Sequence, residues 1–212
     1  MEIIPLTDET QEFILAHTEQ TIRAGGIVVA PTDTVYGIVG DATREVAIQK
    51  MFAAKERVLE RAFPIFVRNI QTARRYASIS DTKAKCLEKI WPGQVTALFD
   101  RKGNLPDLLT GGDRRIGMRM PNHSFLQKLL LRFDAPLAQT SANISGMPPA
   151  KNRDGLIAYF ENKKVQPDLI IDAGVISGAP STIIDMSGDA PIFVRTGLMT
   201  KSQVDEIFKT ML

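Results

Sequence analysis

The segment VVAPTDTVYGIVGDA, residues 28–42 of 212, joins a strand signal to a loop rich in polar groups. Its apolar start, together with Ile27, is typical of a buried strand, and Pro31 ends that strand because proline has no N–H to donate to a sheet. The loop then carries three hydroxyl side chains around Asp33, followed by two glycines. Because α/β proteins commonly bind ligands at strand ends, we predict a ligand-binding loop, with an ordinary polar turn as the alternative.

Helix and strand patterns alternate along the rest of the chain. Polar capping residues ahead of apolar helical periods mark helix starts at Thr7 or Asp8, Thr43, Ser80, Asn122, Asn152 and Thr200. Short apolar runs between turn residues predict strands at 27–30, 64–68, 94–99, 116–120, 136–139, 169–172, 182–186 and 192–195. In the second helix we expect Val46, Met51 and Phe52 to face inward.

This alternation, without a break in composition or an internal repeat, predicts a single α/β domain over residues 1–212. The last strands lie close together in sequence, so we expect an antiparallel part within a mixed sheet that is flanked by helices. Cys86 falls in a helical pattern among apolar neighbours and is predicted to belong to the core.

The composition is ordinary for a soluble globular protein, with 44% hydrophobic and 24% charged residues. The formal net charge of +2 excludes a polycation, so a nucleic-acid role would need local patches such as Arg114, Arg115 and Arg119. One cysteine excludes an internal disulfide, and two histidines argue against a His/Cys metal site. Without a signal-peptide pattern or a membrane-spanning apolar run, we expect a cytoplasmic protein.

Five cationic residues stand at predicted strand or helix ends: Lys55, Arg57, Arg115, Arg119 and Arg195. Guanidinium groups match phosphate and carboxylate oxygens, so the set, together with loop hydroxyls and amides, predicts an anion pocket suited to a triphosphate. Taken singly, each arginine favours a solvated surface position, and the first two cations also suit the C-terminal end of a helix.

A second polar loop, TSANISGMPPA at residues 140–150, offers Ser141 and Asn143 as ligands for phosphate or adenine. The alternative is a turn in which these side chains bond their own backbone. His123 is expected to cap a helix or to be exposed, and no nucleophile–histidine arrangement is evident. Neither a Walker loop nor a dinucleotide fingerprint is present.

Seven short motifs occur in a fixed order along the chain: PTDTVYG (31–37), K-x-R (55–57), WPGQVT (91–96), MRMP (118–121), SANISG (141–146), STIID (181–185) and VRTG (194–197). Each motif alone is weak, but the ordered set is specific. By these motifs the chain resembles the YrdC/Sua5 family from about residue 24 to residue 197.

The resemblance implies a twisted α/β sheet with a central, positively charged cavity. It also implies a nucleotidyltransferase that converts ATP, L-threonine and bicarbonate into threonylcarbamoyl-adenylate and pyrophosphate, for the t6A modification of tRNAs that read ANN codons. Mg²⁺ is expected to arrive with ATP, held mainly by phosphate oxygens. The implied partners downstream are TsaB/TsaD/TsaE-type proteins.

The resemblance further implies roles for individual residues. Those expected to bind L-threonine are Thr32, Thr34, Tyr36, Arg119, Ser141 and Ser181. Those expected to bind ATP are Lys55, Arg57, Arg115, Asn143, Lys151 and Arg195, of which the first two are also expected to be catalytic. A ring of cations fits the reaction, since both reactants are anions and the barrier is largely charge repulsion and positioning.

The chain departs from the family pattern near the K-x-R motif. Val58 stands where the family commonly has proline, and Phe66 or Arg68 lies near the place of a histidine. Arg68 is therefore expected either to replace a carboxylate or phosphate contact or to point to solvent. The chain resembles the short, TsaC-like form, without the C-terminal domain of the longer Sua5 form.

Two other functions remain open at this point. The first is a non-catalytic module that binds double-stranded RNA or tRNA in the basic cavity, with strong salt dependence. The second is a YciO-like paralogue with an altered substrate. The intact SAN triplet, which begins at Ser141, favours the synthase. The segment IGMRMP (116–121) and Arg68 favour the paralogue instead.

Overall fold

The computed structural model describes residues 1–58 and 62–209. Within them the strands are β1 (Glu2–Pro5), β2 (Val28–Ala30), β3 (Gly37–Asp41), β4 (Ile65–Phe66), β5 (Val95–Asp100), β6 (Arg115–Arg119), β7 (Leu137–Ser141), β8 (Leu169–Asp172), β9 (Thr182–Asp185) and β10 (Ile192–Arg195). The helices are α1 (Gln11–Arg23), α2 (Glu45–Ala54), α3 (Ile70–Tyr76), α4 (Asp81–Ile90), α5 (Asp107–Thr110), α6 (Ser124–Arg132), α7 (Arg153–Phe160) and α8 (Lys201–Lys209).

The described strands form one sheet in the order β1-β8-β2-β3-β7-β4-β6-β5-β9-β10. Strands β2 and β3 pair antiparallel, as do β5 with β6 and β9 with β10, whereas β8 is parallel to both β1 and β2. The predicted mixed α/β sheet is confirmed. Many neighbours in this sheet are distant in sequence, since β8 is inserted between β1 and β2.

Apolar side chains cover the two faces of the sheet unequally. Because side chains alternate along a strand, Val95 and Ala97 of β5 enter the larger core, which includes Met51 and Phe52 of α2. On the opposite face, helices α1 and α6 pack over β2, β3 and β8 through residues such as Leu15. This smaller cluster contains no residue of β5, β6 or β9. The second face of those three strands is where the cavity described below lies.

Several helix boundaries agree with the sequence patterns. Ser80 and Asn152 accept backbone N–H groups at the starts of α4 and α7, as predicted. Thr200 and Gln203 bond each other's backbone N–H groups in the predicted capping box ahead of α8. Cys86 is buried, as expected.

Other caps were predicted wrongly. The N-cap positions of α1, α2 and α6 are occupied by Thr10, Arg44 and His123, none of which makes a side-chain cap bond. Neighbouring polar residues with similar capping propensity make this position hard to choose from sequence. Val46, expected to face inward, is 57% exposed, because the register of α2 turns it away from β3.

Four elements were absent from the sequence prediction: β1, β3, α3 and α5. Strand β3, GIVGD, was assigned to the loop after Pro31 because of its two glycines. A Cβ at Gly40 would lie 3.3 Å from Ile27 Cγ2 and 3.4 Å from Met51 Sδ, so this glycine lets α2 approach the sheet closely. No helix in the described ranges is long and apolar enough to cross a membrane.

Candidate active site

A cavity of about 240 Å³ opens on the same face of the sheet as α1 and α6, over the strands that these helices leave uncovered. Six of the residues predicted for the site line it: Thr34, Arg57, Arg119, Ser141, Ser181 and Arg195. They come from the loop after β2, the segment after α2 and the ends of four strands. Residues separated by as much as 160 positions in sequence therefore meet at one surface. Among residues 1–58 and 62–209, the lining carries three guanidinium groups and no carboxylate.

Arg119, at the end of β6, is the most buried of the three arginines, with 2% of its surface exposed. Its Nη2 forms an ion pair with Asp33 Oδ1, its Nη1 donates to Thr34 Oγ1 at 3.1 Å, and its Nε donates to Gly93 O at 2.9 Å. Burial lowers the pKa of Arg119, and the charge of Asp33 opposes that shift. Three of the five N–H groups of the guanidinium are thereby used, and two remain for a ligand in the cavity.

The loop between β2 and β3 is held in shape by its own hydroxyl groups. Thr32 Oγ1 donates to Val35 O at 2.7 Å and lies 2.8 Å from Thr34 Oγ1. It also accepts the backbone N–H of Thr34. Thr32 thus supports the loop from behind and does not line the cavity, whereas Thr34 does.

Tyr36, predicted to bind threonine, points to another part of the fold. Its hydroxyl donates to Gly174 O and accepts from Ala173 N, both at 2.8 Å, and burial raises its pKa. The ring is fully buried and does not line the cavity. Tyr36 therefore fixes β3 to the segment that follows β8.

We expect the Tyr36→Phe variant to lose about 1–2 kcal/mol of unfolding free energy, because Ala173 N and Gly174 O lose a buried partner. Its KM for L-threonine, the substrate that the family resemblance implies, should stay within about twofold of the wild-type value in a pyrophosphate-release assay. Urea unfolding and steady-state kinetics measure the two effects. A large rise in the threonine KM with unchanged stability would place the hydroxyl at the substrate instead.

Lys55, at the C-cap of α2, is directed into the second polar loop. Its Nζ donates to Ser141 O at 2.6 Å, and to Asn143 O and Oδ1 at 2.9 Å each. Only 2% of its surface is exposed, and it does not line the cavity. Burial, with the nearby charge of Arg57, lowers the pKa of Lys55 to about 7. The amine therefore holds the loop directly, and any phosphate contact would have to compete with three protein oxygens.

The loop beginning at Ser141 is also cross-linked by its own side chains. The Ser141 hydroxyl donates to Asn143 Oδ1, and Asn143 Nδ2 donates to Ile144 O and Met147 O. The turn-forming alternative from the sequence thus describes Asn143, which is buried and outside the cavity lining. Ser141 differs from Asn143 in that it both forms a hydrogen bond within the loop and lines the cavity.

The remaining two arginines of the cavity approach it from different sides. Arg57 lies over the ring of Phe63 at 4.9 Å and donates to Ala62 O at 3.0 Å. Arg195, on β10, donates to Ser181 O at 2.8 Å, and burial lowers its pKa. Ser181 Oγ in turn lies 2.9 Å from Thr96 Oγ1.

Two further predicted ATP ligands, besides Lys55 and Asn143, lie outside the cavity lining. Arg115 begins β6, four residues before Arg119, or roughly 13 Å away at the usual strand rise. Its guanidinium forms ion pairs with Asp113 at 3.0 Å and Asp185 at 2.7 Å, and these carboxylates raise its pKa. Lys151 is exposed just before α7 and does not line the cavity.

The residues near the place of the family histidine do not line the cavity either. Phe66 is fully buried in the cluster under α1 and α6, with its ring 5.7 Å from the Arg119 guanidinium carbon. Arg68 Nε donates to Thr72 Oγ1 at 3.3 Å, and Nη1 lies 3.6 Å from Asp134. Arg68 therefore neither reaches the cavity nor lacks protein partners.

Sequence reasoning overlooked four residues at this site. Asp33 pairs with Arg119, and Gln94 Nε2 donates to Asp33 O at 2.7 Å. Thr96 and Gln139 line the cavity from β5 and β7. The signal for the last two was a polar side chain within an otherwise apolar strand, which is costly to bury unless it is used.

Comparison with known proteins gives the family. The family model for Sua5, YciO and YrdC proteins, described as telomere recombination, matches residues 20–197. The chain belongs to this family. The matched segment contains every residue named as part of the cavity lining.

Relatives and solved structures agree with this membership. A putative threonylcarbamoyl-AMP synthase of Methanocaldococcus jannaschii is 32% identical over 200 residues, which cover 94% of this chain and 93% of that protein. The threonylcarbamoyl-AMP synthase of Pyrococcus abyssi is 30% identical, and the family member described here spans 60% of its length. The crystal structure of P. abyssi Sua5 complexed with L-threonine superposes with a TM-score of 0.90 at 29% identity, covering 98% of this chain and 61% of that one. Escherichia coli YciO shares the fold, with a TM-score of 0.84 at 23% identity.

Proposed function

We propose that this family member is a threonylcarbamoyl-AMP synthase, which makes threonylcarbamoyl-AMP, pyrophosphate and water from L-threonine, bicarbonate and ATP. The observation that carries the proposal is the cavity lined by Arg57, Arg119 and Arg195, whose described lining residues include no carboxylate. Asp33 is already paired with Arg119, so this lining attracts anions more than it repels them. The names of the relatives and the L-threonine bound to P. abyssi Sua5 support the choice of reaction.

In this proposal the threonine carboxylate binds Arg119. Two guanidinium N–H groups remain after the bonds to Asp33, Thr34 and Gly93, and a carboxylate accepts such a pair side by side. The burial of Arg119 strengthens that contact, since few water molecules screen it. The Asp33 ion pair and the hydroxyl of Thr34 fix the guanidinium before substrate arrives.

Arg57 and Arg195 bind the phosphates of ATP. The threonine amine attacks the carbon of bicarbonate or CO₂ and forms a carbamate, and a carbamate oxygen then attacks the α-phosphorus of ATP in line with the departing pyrophosphate. Both partners of the second step are anions, so the two arginines act by neutralising charge and by holding the reacting atoms in line. This mechanism needs no acid–base pair of protein side chains.

Lys55 and Asn143 act on the nucleotide side through the loop they hold. Their bonds fix the backbone from Ser141 onward, so the Ser141 side chain is presented to the cavity in one position. Mg²⁺ enters as the MgATP substrate, coordinated by phosphate oxygens and water. Among the described residues, no cluster of three histidine, cysteine or acidic side chains is arranged to bind a metal. We place the enzyme in the cytoplasm, upstream of proteins that transfer the adenylate to tRNA.

Pyrophosphate release tests the proposal. With MgATP, bicarbonate and the purified chain, we expect release that requires both L-threonine and bicarbonate and that is much slower with L-serine. Mass spectrometry of the mixture should show threonylcarbamoyl-AMP. Release independent of threonine, or none beside salt-sensitive binding of double-stranded RNA, would contradict the synthase assignment.

Arg195 and Arg115 provide a matched pair of variants. Arg195→Gln should raise the KM for ATP by about tenfold or more, because a charged phosphate contact is lost. Arg115→Gln removes the same charge outside the cavity and should leave that KM within about twofold. If the two substitutions raised the KM for ATP equally, the cause would be the general loss of positive charge and not the loss of a phosphate contact of Arg195.

A further inference from the structure

Gln139 is a polar side chain whose position in the sheet demands an explanation. It stands on β7 after the buried residues Leu137 and Ala138, and it lines the cavity. Its backbone N–H donates to Pro64 O at 2.9 Å. Its side-chain amide has no hydrogen-bond partner within residues 1–58 and 62–209. The amide is not among the buried polar atoms that lack a partner, so water reaches it in the cavity and a ligand can take the place of that water.

The other polar groups of the lining are of a different kind. The three guanidinium groups can only donate. The hydroxyls already have protein partners: Thr34 bonds Arg119, Thr96 lies beside Ser181, Thr140 accepts from Arg57 and Ser141 donates to Asn143. The Gln139 amide therefore stands apart in this lining as an uncharged group with both a donor and an acceptor unused. This combination matches a ligand hydroxyl, which also donates and accepts.

Gln139 and Arg119 also stand at a suitable separation. They lie on β7 and β6, which are separated by β4 alone, and Gln139 is two residues along β7 from Leu137, the residue level with Arg119, so their backbones are roughly 12 Å apart. Two long side chains reaching from this distance into one cavity leave room for a small molecule between their polar ends. A carboxylate at one end and a hydroxyl at the other is the arrangement found in a hydroxy amino acid.

We infer that Gln139 determines specificity by hydrogen bonding to the side-chain hydroxyl of the amino-acid substrate while Arg119 binds its carboxylate. This inference rests on the proposed function and deepens it. It predicts that the enzyme distinguishes L-threonine from L-2-aminobutyrate, which keeps the methyl group and lacks the hydroxyl. A site with a polar group placed for a hydroxyl rejects an analogue that leaves that group without a partner.

The test is calorimetric titration of L-threonine and of L-2-aminobutyrate into the wild-type chain and two variants. Gln139→Met keeps a similar length without the amide, and Gln127→Met is a matched control, because Gln127 is half-buried outside this cavity. We expect the wild type to prefer threonine by at least about tenfold. Gln139→Met should lose most of that preference, mainly by weaker threonine binding, while Gln127→Met keeps it.

The outcomes separate the two proposals. A Gln139→Met variant that folds and keeps the wild-type preference overturns the role of Gln139 and leaves the synthase assignment intact. A wild-type chain that neither binds L-threonine nor releases pyrophosphate with it overturns the proposed function, and the inference with it. Thermal unfolding checks that the variants fold, and Gln139→Ala gives the same readout if the methionine variant does not.

Discussion

Replacing Arg119 by methionine should lower the free energy of unfolding by about 3–5 kcal/mol and reduce threonine-dependent pyrophosphate release by about 100-fold or more. The stability loss follows from Asp33, which keeps its buried negative charge and loses the guanidinium that compensates it. The activity loss follows from the absent partner of the substrate carboxylate. Urea unfolding and steady-state kinetics measure the two effects separately.

A double variant distinguishes these two consequences. In Asp33→Asn/Arg119→Met the uncompensated charge is gone, so we expect it to recover a large part of the lost stability. The oxygen of the introduced amide can still accept the backbone N–H of Asn122, which Asp33 Oδ2 accepts in the native chain. Catalytic activity should not return, because the carboxylate still lacks its cation. Recovery of both would show that Arg119 acts only through stability.

Lys55→Met should destabilise the chain by about 3 kcal/mol, because Ser141 O, Asn143 O and Asn143 Oδ1 lose a shared buried donor. Activity should fall by about tenfold or more, mainly through a higher KM for ATP, since the loop that presents Ser141 is no longer fixed. Unchanged stability with impaired ATP use would instead mean that the amine serves bound phosphate alone.

The pH dependence of stability provides a second measurement on Lys55. Its pKa is about 7 in the folded chain against 10.5 for an ordinary lysine, so between these values the unfolded chain holds a proton that the folded chain has released. Raising the pH from 7 therefore favours the folded state, by about 1.4 kcal/mol per unit, and below pH 7 the contribution is constant. The stability difference between wild type and Lys55→Met should widen from pH 7 to pH 9.

Lys50→Met is the matched control for this experiment. Lys50 lies on the same helix with 40% of its side chain exposed, and its ion pair with Asp168 is long at 3.8 Å. Its curve of stability against pH should run parallel to that of the wild type. If the Lys55→Met curve is also parallel to the wild type, the lowered pKa of Lys55 is wrong.

The alternation of helices and strands could be predicted from the sequence because local patterns of apolar and capping residues determine it. Strand β3 was missed because Gly40 allows close contacts with α2 and Ile27, and Gly37 with Thr140 and Thr32, which only the folded chain reveals. Strand β1 was missed because its pairing with β8 joins residues that lie more than 160 positions apart. The N-cap residues of helices are equally hard to predict from the sequence, because several polar residues within three positions could each occupy the cap.

The candidate site shows a similar division. Ordered motifs identified six residues of the cavity lining, among them Arg119 and Ser181. Motifs cannot distinguish a side chain that faces the cavity from one that supports it, and Lys55, Tyr36 and Asn143 are supports in this fold. Arg115 lies outside the cavity lining for a different reason, since the two carboxylates that pair with it come from separate parts of the chain.

The order of strands in the sheet also constrains how the molecule is made. Strand β5 meets its parallel neighbour β9 only after residue 182 has been synthesised, and Arg195 comes later still. A growing chain on the ribosome therefore carries the polar loops after β2 and β7 before the wall that completes the cavity has been made. Contacts so distant in sequence slow folding. Nascent chains that end before β9 should be unable to bind substrate, and binding competence should arise late and in one step.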